Sequence, residues 1–287
     1  MADFDNTALN ATIRELWDEK IEDARYANGV LFKRVSNKSS VCKFNDILHI
    51  TIDNAYTVGT VSSGGAFVPQ NYTPATVDIT IDQWEQISIQ VLDRSKAQSF
   101  WNPASTFPTN VGKAFASRYD VQLAAEWTNV GAGNSIGSTS SPSPFSKDLA
   151  QEGILRLAST NIPLDELSWV IHPSSYYTGL CNEGQYTSAD QAGLDKSVLQ
   201  TGRVNNLFAH SVYLCNNIVA TGAPSVRKNL LLHSSALAIA WQKNAAESIE
   251  RTRSTANLVL ADLLVAQALY GFRTVRSDHF VVLNSAA

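Results

Sequence analysis

Three cysteines in 287 residues are too few and too scattered to staple a fold. Cys42, Cys181 and Cys215 are odd in number, and no two stand in the close spacing of a metal knuckle. That excludes a disulfide framework and a structural zinc site, and leaves small buried hydrophobes of a reduced compartment. Apolar runs of about 18 residues are missing, so no segment is long enough to cross a bilayer as a helix. The opening MADFDNTALN has neither the basic end nor the apolar stretch of a secretory leader. Positive charge is also scarce: 22 Lys and Arg against 26 Asp and Glu give a net charge of −4 and a pI near 5.7. Phosphate neutralisation needs clustered cations, so tight nucleic-acid binding is excluded as the main task. A surface that merely lies beside nucleic acid is not.

Reactive groups are equally thin. The five histidines (His49, His172, His210, His233, His279) never fall at the spacing a metal site favours. No Gly-rich loop ends in Lys, and GAGNSIG (131–137) misses the dinucleotide-binding spacing by one residue. Within it, Gly133-Asn134-Ser135-Ile136-Gly137 matches a nucleophile elbow on paper. That motif needs a strand before the serine and a helix after it, and here a helix precedes and Ser/Pro follows. The sequence therefore singles out no catalytic, metal or cofactor-binding residue. A triad assembled from distant positions leaves no trace in a sequence, so a soluble α/β enzyme stays open as a rival.

What the chain does have is 44% hydrophobic residues, enough for a sizeable core in one or two domains. Val111, Phe115, Tyr119, Leu123 and Trp127 recur every fourth residue, with Ala114, Ala124 and Ala125 widening the row. This predicts an amphipathic helix over 109–130 of about 30 Å, starting after Pro108 and stopped by Gly131 and Gly133. Lys113, Arg118, Asp120, Gln122 and Glu126 are expected on its polar side. Residues 7–26 form a patchier helix around Leu9, Ile13, Leu16, Trp17, Ile21 and Ala24. It reads equally as a solvated surface helix or as a terminal arm laid across a partner.

The most unusual segment lies between. Residues 47–53 (ILHITID) and 77–82 (VDITID) share the phrase Ile-Thr-Ile-Asp and alternate apolar with polar residues, so each is a strand with one apolar face. About two dozen residues connect them, rich in Gly, Pro, Ser and Thr but carrying Tyr56, Val58, Val61, Phe67, Val68 and Tyr72. So long a connection without regular structure signals function. A lone two-stranded ribbon is marginal in water, and the chain offers no adjacent strand to cover it. The inference is that a neighbouring copy does; a hairpin folded back on its own domain is the alternative. Trp84, Ile87, Ile89 and Val91 continue as another strand.

Further on, 147–160 reads as a helix with Leu149, Ile154, Leu155, Leu157 and Ala158 on its apolar side. SWVIHP (168–173) is a buried strand, followed by a short helix opened by Pro173, and 185–202 is polar. Residues 203–217 read as strand, bend, strand, and 230–241 as a buried run. Residues 247–253 make an exposed strand, 258–269 are strongly apolar, and closing strands span 272–283.

The order of these elements resembles the major capsid protein of tailed bacteriophages, with its Hong Kong 97-type fold. The resemblance spans essentially the whole chain. It is carried by KAFASRYDVQLAAEW, LQTGRVNNLFAHSVYLCNN, LLLHSSALAIAWQK and ALYGFRTVRSDHFVVLN. The chain departs from the family at Ala209, where relatives often have Gly, and at Cys215, where they often have Ser.

The resemblance implies an α+β fold with an N-terminal arm (1–40) and an extended loop and its base (41–92). It implies a peripheral domain (93–147 with 246–262) holding the spine helix, and an axial domain (148–245 with 263–287). The implied function is structural, not enzymatic: self-assembly into the icosahedral shell around the double-stranded DNA of a tailed phage. Trp17, Tyr56, Phe67, Tyr72, Ile50 and Ile79 become subunit-interface residues. The implied partners are other copies in hexamers and pentamers, a portal at one vertex, and in some cases a decoration protein. With the arm starting within ten residues of Met1, a separate scaffolding protein is expected. No membrane and no cofactor is implied, and the location is the virion, assembled in the host cytoplasm. Packaged DNA would meet only scattered cations such as Arg14, Arg25, Lys33 and Arg34. The rival of the same fold is an encapsulin-like nanocompartment shell. Some relatives cross-link through a loop lysine, but none stands between Asp53 and Trp84. Assembled material boiled in denaturant should therefore run as one band of single-chain mass, without a ladder of multimers.

Overall fold

A computed structural model describes residues 20–25, 28–42, 44, 46–53, 56, 58–61, 65, 69–71, 73–92, 103–183, 204, 206–244, 250–254 and 261–287. Its strands in chain order are β1 (Ser36–Asn37), β2 (Ile47–Ile52), β3 (Ala75–Thr80), β4 (Gln83–Leu92), β5 (Ser135–Ile136), β6 (Leu167–Ile171) and β7 (Asn206–Leu207). They continue with β8 (His210–Leu214), β9 (Ala220–Thr221), β10 (Val226–His233), β11 (Leu237–Lys243), β12 (Glu250–Ser254), β13 (Ala261–Thr274) and β14 (Phe280–Ala286). Two long helices complete the frame, α1 (Pro103–Ala125) and α2 (Lys147–Ser159). The polar stretch 185–202 and the approach 93–102 lie outside the described residues.

The predicted spine helix forms, but it begins six residues earlier than expected and passes through Pro108. Pro108 lies in the second turn and does not mark the boundary; having no N–H, it cannot make the bond to the carbonyl four residues earlier. Phe107, Val111, Phe115, Tyr119 and Leu123 are buried along one stripe. The stripe widens through Ala116 and Ala124; Ala114 and Ala125 face out. Asp120 and Gln122, expected on the polar side, are buried too.

Two sheets flank this helix. β13 is the axis of the five-stranded one: β4 pairs along one edge, and β11 and β12 follow one another along the other. Leu264, Ala266, Ala268 and Tyr270 of β13 are buried, while its alternate residues are half-exposed. On β4 the inward side is Glu85, Ile87, Ile89 and Val91, so Trp84 belongs to the opposite face and is 73% exposed.

The second sheet runs β5-β14-β10-β6-β8-β7. Its three central strands are buried on both faces. Val170, Leu230, Leu232, Phe280 and Val282 join the core of α1. Trp169, Ile171, Leu231, Val281 and Leu283 join a second core with Leu157 and Ala150 of α2. This explains why LLL and FVVL carry no alternation: a strand covered twice has no solvent side to mark. The apolar side of α2 is Ala150, Gly153 and Leu157, and Leu155, expected within it, is 65% exposed. Ser146 caps α2 by accepting the Leu149 N–H at 3.3 Å.

The bend between β7 and β8 is built from Phe208 and Ala209, with φ of 51° and 67°. Both lie in the left-handed region, which costs a residue with a Cβ about 1 kcal/mol or more relative to glycine. Ala209 is exposed and free to change. Ala209→Gly should therefore raise stability by about 1 kcal/mol, read as an unfolding midpoint about 2 °C higher.

Candidate assembly surfaces

The ribbon forms in the register its alternation demands. Leu48 faces Ile79, Ile50 faces Val77 and Ile52 faces Ala75, while Ile47 faces Thr80 on the other side, so one face collects every aliphatic side chain of the pair but Ile47. Burial fades from base to tip. Leu48 and Ile79 are buried with Cys42, Ile81, Ala238 and Ala240 of the same chain. Ile50 and Val77 are half-covered, and Ala75 is exposed. The expectation that only another copy could shelter this face is thus corrected at the base, where the chain's own five-stranded sheet lies beneath it. Ile79, fully buried there, has no surface to offer a neighbour.

Toward the tip the described residues are exposed. Tyr56 is 66% and Val58 96% exposed, with Val61 also exposed. Val41, Phe44 and Ile47 extend the exposed apolar surface at the root, Phe44 at 91%. Scattered exposed apolar residues are ordinary, but a group of them on one projection marks an interaction site. Of the other expected interface residues, Ile50 is half-buried on the ribbon, and Trp17, Phe67 and Tyr72 lie outside the described residues.

Charge singles out the same segment. Residues 44–93 contain six Asp and Glu and no Lys or Arg. On the ribbon's outward face His49 pairs with Asp78 at 2.5 Å. Glu85, at its foot, is drawn inward by Arg118 Nε at 2.7 Å and Gln122 Nε2 at 3.2 Å, and the Tyr270 hydroxyl donates to it at 2.9 Å. Desolvation, with the Glu85 carboxylate beside it, pushes the Tyr270 hydroxyl far above its usual range.

Two glycines sit where the appendages cross the body. A Cβ on Gly271 of β13 would overlap the Thr80 carbonyl at the ribbon base. One on Gly112 of α1 would lie 2.6 Å from the Ile21 carbonyl oxygen. Residues 20–25 are helical and cross α1 at that glycine, with Ile21 and Ala24 buried against it.

The root of the arm is held by a residue that polarity alone places in solvent. Asp120, buried in α1, accepts the backbone N–H groups of Val30, Leu31 and Phe32 at 2.9, 2.9 and 3.0 Å. Burial pushes its carboxyl up and the three N–H donors pull it down, burial being the larger. Arg25 closes the root from the other side. Its guanidinium lies 5.2 Å from the Trp241 ring and 5.9 Å from Phe32, and donates to Asn244 at 2.5 Å. Arg25, expected to be available to DNA, is therefore buried. Arg34 stacks 3.8 Å over Tyr213, Lys33 is exposed, and Arg14 lies outside the described residues.

Among the described residues no three His, Cys, Asp or Glu side chains gather in a metal-holding group. Ser135 of the elbow-like motif lies in β5 and accepts from Asn284 Nδ2 at 3.1 Å, an ordinary structural bond. His172 Nδ1 accepts the Ser174 N–H at 3.1 Å, closing a turn. An open polar cleft of about 540 Å³ lies beside the arm root, lined by Glu22, Ser39, Phe44 and Gln242 among others.

Neither a family model nor a curated protein matches the sequence. Solved structures do. A Mycobacterium phage Che8 structure aligns over 88% of this chain and 90% of its own, with a TM-score of 0.72 and 23% identity. The capsid structure of cyanophage P-SCSP1u aligns over 90% and 88%, at 0.72 and 14% identity. A virus-like particle from Pyrococcus furiosus covers 94% and 98% with a TM-score of 0.56 and 12% identity. The likeness at such low identity is one of fold.

Asp120→Ala should leave three N–H groups at the arm root without their acceptor and cost about 3 kcal/mol. A denaturation midpoint and the rate of proteolytic cutting before residue 35 would measure it.

Proposed function

We propose, from the premise that this chain has the Hong Kong 97-type capsid fold, that it is the major capsid protein of a tailed phage. Copies of it would tile the icosahedral shell around a double-stranded DNA genome. The observation that carries the reading is the alignment of nearly nine-tenths of both chains with phage capsid structures. An acidic projection with a half-covered apolar face and an exposed tip suits a protein whose neighbours finish its packing.

On this reading the ribbon is the extended loop, reaching over an adjacent subunit through Tyr56, Val58 and the outer part of the β2–β3 face. The peripheral domain is the five-stranded sheet with α1, which takes in 237–243 and 263–274. The borders drawn from sequence gave those segments to the axial domain. The axial domain is the seven-stranded sheet with α2, its copies meeting at five-fold and six-fold centres. A scaffolding protein, a portal and, in some shells, a decoration protein are the partners this role calls for.

Electron microscopy of purified assembled material tests the proposal. Closed icosahedral particles filled with DNA support it. Closed shells filled with protein cargo favour the nanocompartment that the Pyrococcus likeness keeps in view. A monomer that stays dispersed at high concentration overturns both. Because Tyr56 and Val58 touch little of their own chain, the double substitution Tyr56→Asp, Val58→Asp should leave the denaturation midpoint within about 0.5 kcal/mol of the parent. It should also reduce the yield of closed particles by about tenfold or more, counted on sucrose gradients.

A further inference from the structure

The two sheets are joined by short crossings that lie side by side. Residues 234–236 carry the chain from β10 to β11, and 275–279 carry it back from β13 to β14. Val275 and Arg276 both donate their N–H to the Ala236 carbonyl, at 2.9 and 3.0 Å, and His233 donates its own to the His279 carbonyl at 3.1 Å. The loop from α1 to β5 joins them, with the Gly131 N–H on the Ser277 carbonyl at 2.7 Å. At this joint the chain passes between the two sheets.

Its side chains form one directed series. The backbone N–H of Ser235 can only donate, and it lies 3.2 Å from His233 Nδ1. That nitrogen is therefore an unprotonated acceptor, as His172 Nδ1 is in the matching His-x-Ser turn. Ser235 Oγ, 2.8 Å from the same nitrogen, must then donate to it. Having given its only proton, Oγ accepts from His279 Nδ1 at 2.8 Å. His279 Nε2 is thereby left as an acceptor, and the Arg276 guanidinium lies 3.5 Å from it. The order runs Arg276 to His279 to Ser235 to His233, and it exists only while both imidazoles are neutral. A proton on His233 Nδ1 sets N–H against N–H. A proton on His279 Nε2 sets two cations together, with the other imidazole 5.6 Å away.

We infer that this series is a proton-sensitive latch on the joint between the two sheets, closed while both histidines are neutral and opened when either is protonated. It is a property of the single chain and holds whether or not the chain builds a shell. The other charged groups facing it are few. Asp278 lies 3.9 Å from His279 Nε2 and is itself mostly exposed. Glu166, before β6, accepts the Ser234 hydroxyl at 2.5 Å. Arg156 is held on Asn134 and Ala132 in the adjoining loop. Only Asp278 favours a charged His279; burial, Arg276 and His233 oppose it, and the net effect is to lower its pKa. A histidine lowered in the folded state gives its full stability above its ordinary value of about 6.5 and loses it as the pH falls below that value.

Hydrogen exchange on the full chain tests the latch, with rates corrected for the intrinsic effect of pH. From about pH 7.5 to about pH 5 the amides of residues 275, 276 and 279 should lose about tenfold in protection, while those of Leu231 and Val281 keep theirs. The double substitution His233→Asn, His279→Asn keeps an acceptor and a donor for Ser235 but cannot titrate, so the loss should vanish. A wild-type joint equally protected at both pH values overturns the proposal, as does a loss that persists in the double variant. Should that variant not fold, ring nitrogen shifts of the wild type at about pH 7.5 decide. They should show the proton on Nε2 of His233 and on Nδ1 of His279, and the reverse pattern overturns the latch.

Discussion

Tyr119 stands where the spine helix, the five-stranded sheet and the arm root meet. Its ring packs 4.7 Å from Tyr270 of β13, 5.8 Å from Trp241 of β11, and 6.0 Å from both Phe115 and Phe32. Spine helix, five-stranded sheet and arm root therefore share one aromatic cluster, and desolvation raises its hydroxyl to about 12. Aromatic rings of this size each bury enough surface to contribute about 2 kcal/mol or more. An edge-to-face cluster also has directions that plain aliphatic packing lacks. The ribbon and the arm are projections from a body whose layers are fixed to one another at this point.

That rigidity gives the projections their meaning. Gly112 and Gly271 let backbone cross backbone closely, so arm and ribbon leave the body at defined angles. Asp120 adds a polar anchor to the first crossing, and the Glu85, Arg118, Gln122 and Tyr270 group adds one near the second. The Asp120 anchor is a buried hydrogen-bonded charge, costly to leave half-satisfied and so selective for one geometry; the Glu85 anchor is part-exposed and adds hydrogen-bond direction.

Much of this was legible because periodicity reports burial directly. The four-residue rhythm of Val111 to Leu123 marked the helix. The alternation in ILHITID and VDITID marked the two strands of the ribbon and their apolar face. The unbroken LLL run marked a buried segment and FVVL a closing strand, and the structure covers both on two faces. The failures have a common cause. Asp120 and Gln122 read as solvent-facing because polarity was taken for exposure, while their partners stand far off in the chain: Val30 is 90 positions from Asp120. Trp84 was grouped with Ile87 by its apolarity, though its parity along β4 puts it on the other face. The cover over Leu48 and Ile79 comes from Ala238 and Ala240, and two alanines carry no sequence signal of a docking site. The joint at His233 and His279 was invisible because the two residues meet only through the fold.

The one-signed charge of the ribbon bears on what happens before chains find their places. A projecting pair of strands with open edges is a template for runaway fibre growth. Here, two ribbons that approach each other bring acid to acid. At cellular ionic strength that repulsion is felt out to about 8 Å, beyond the roughly 4.8 Å at which strands zip together. Mispairing between identical ribbons is thus discouraged at the encounter itself, before any strand edges can meet.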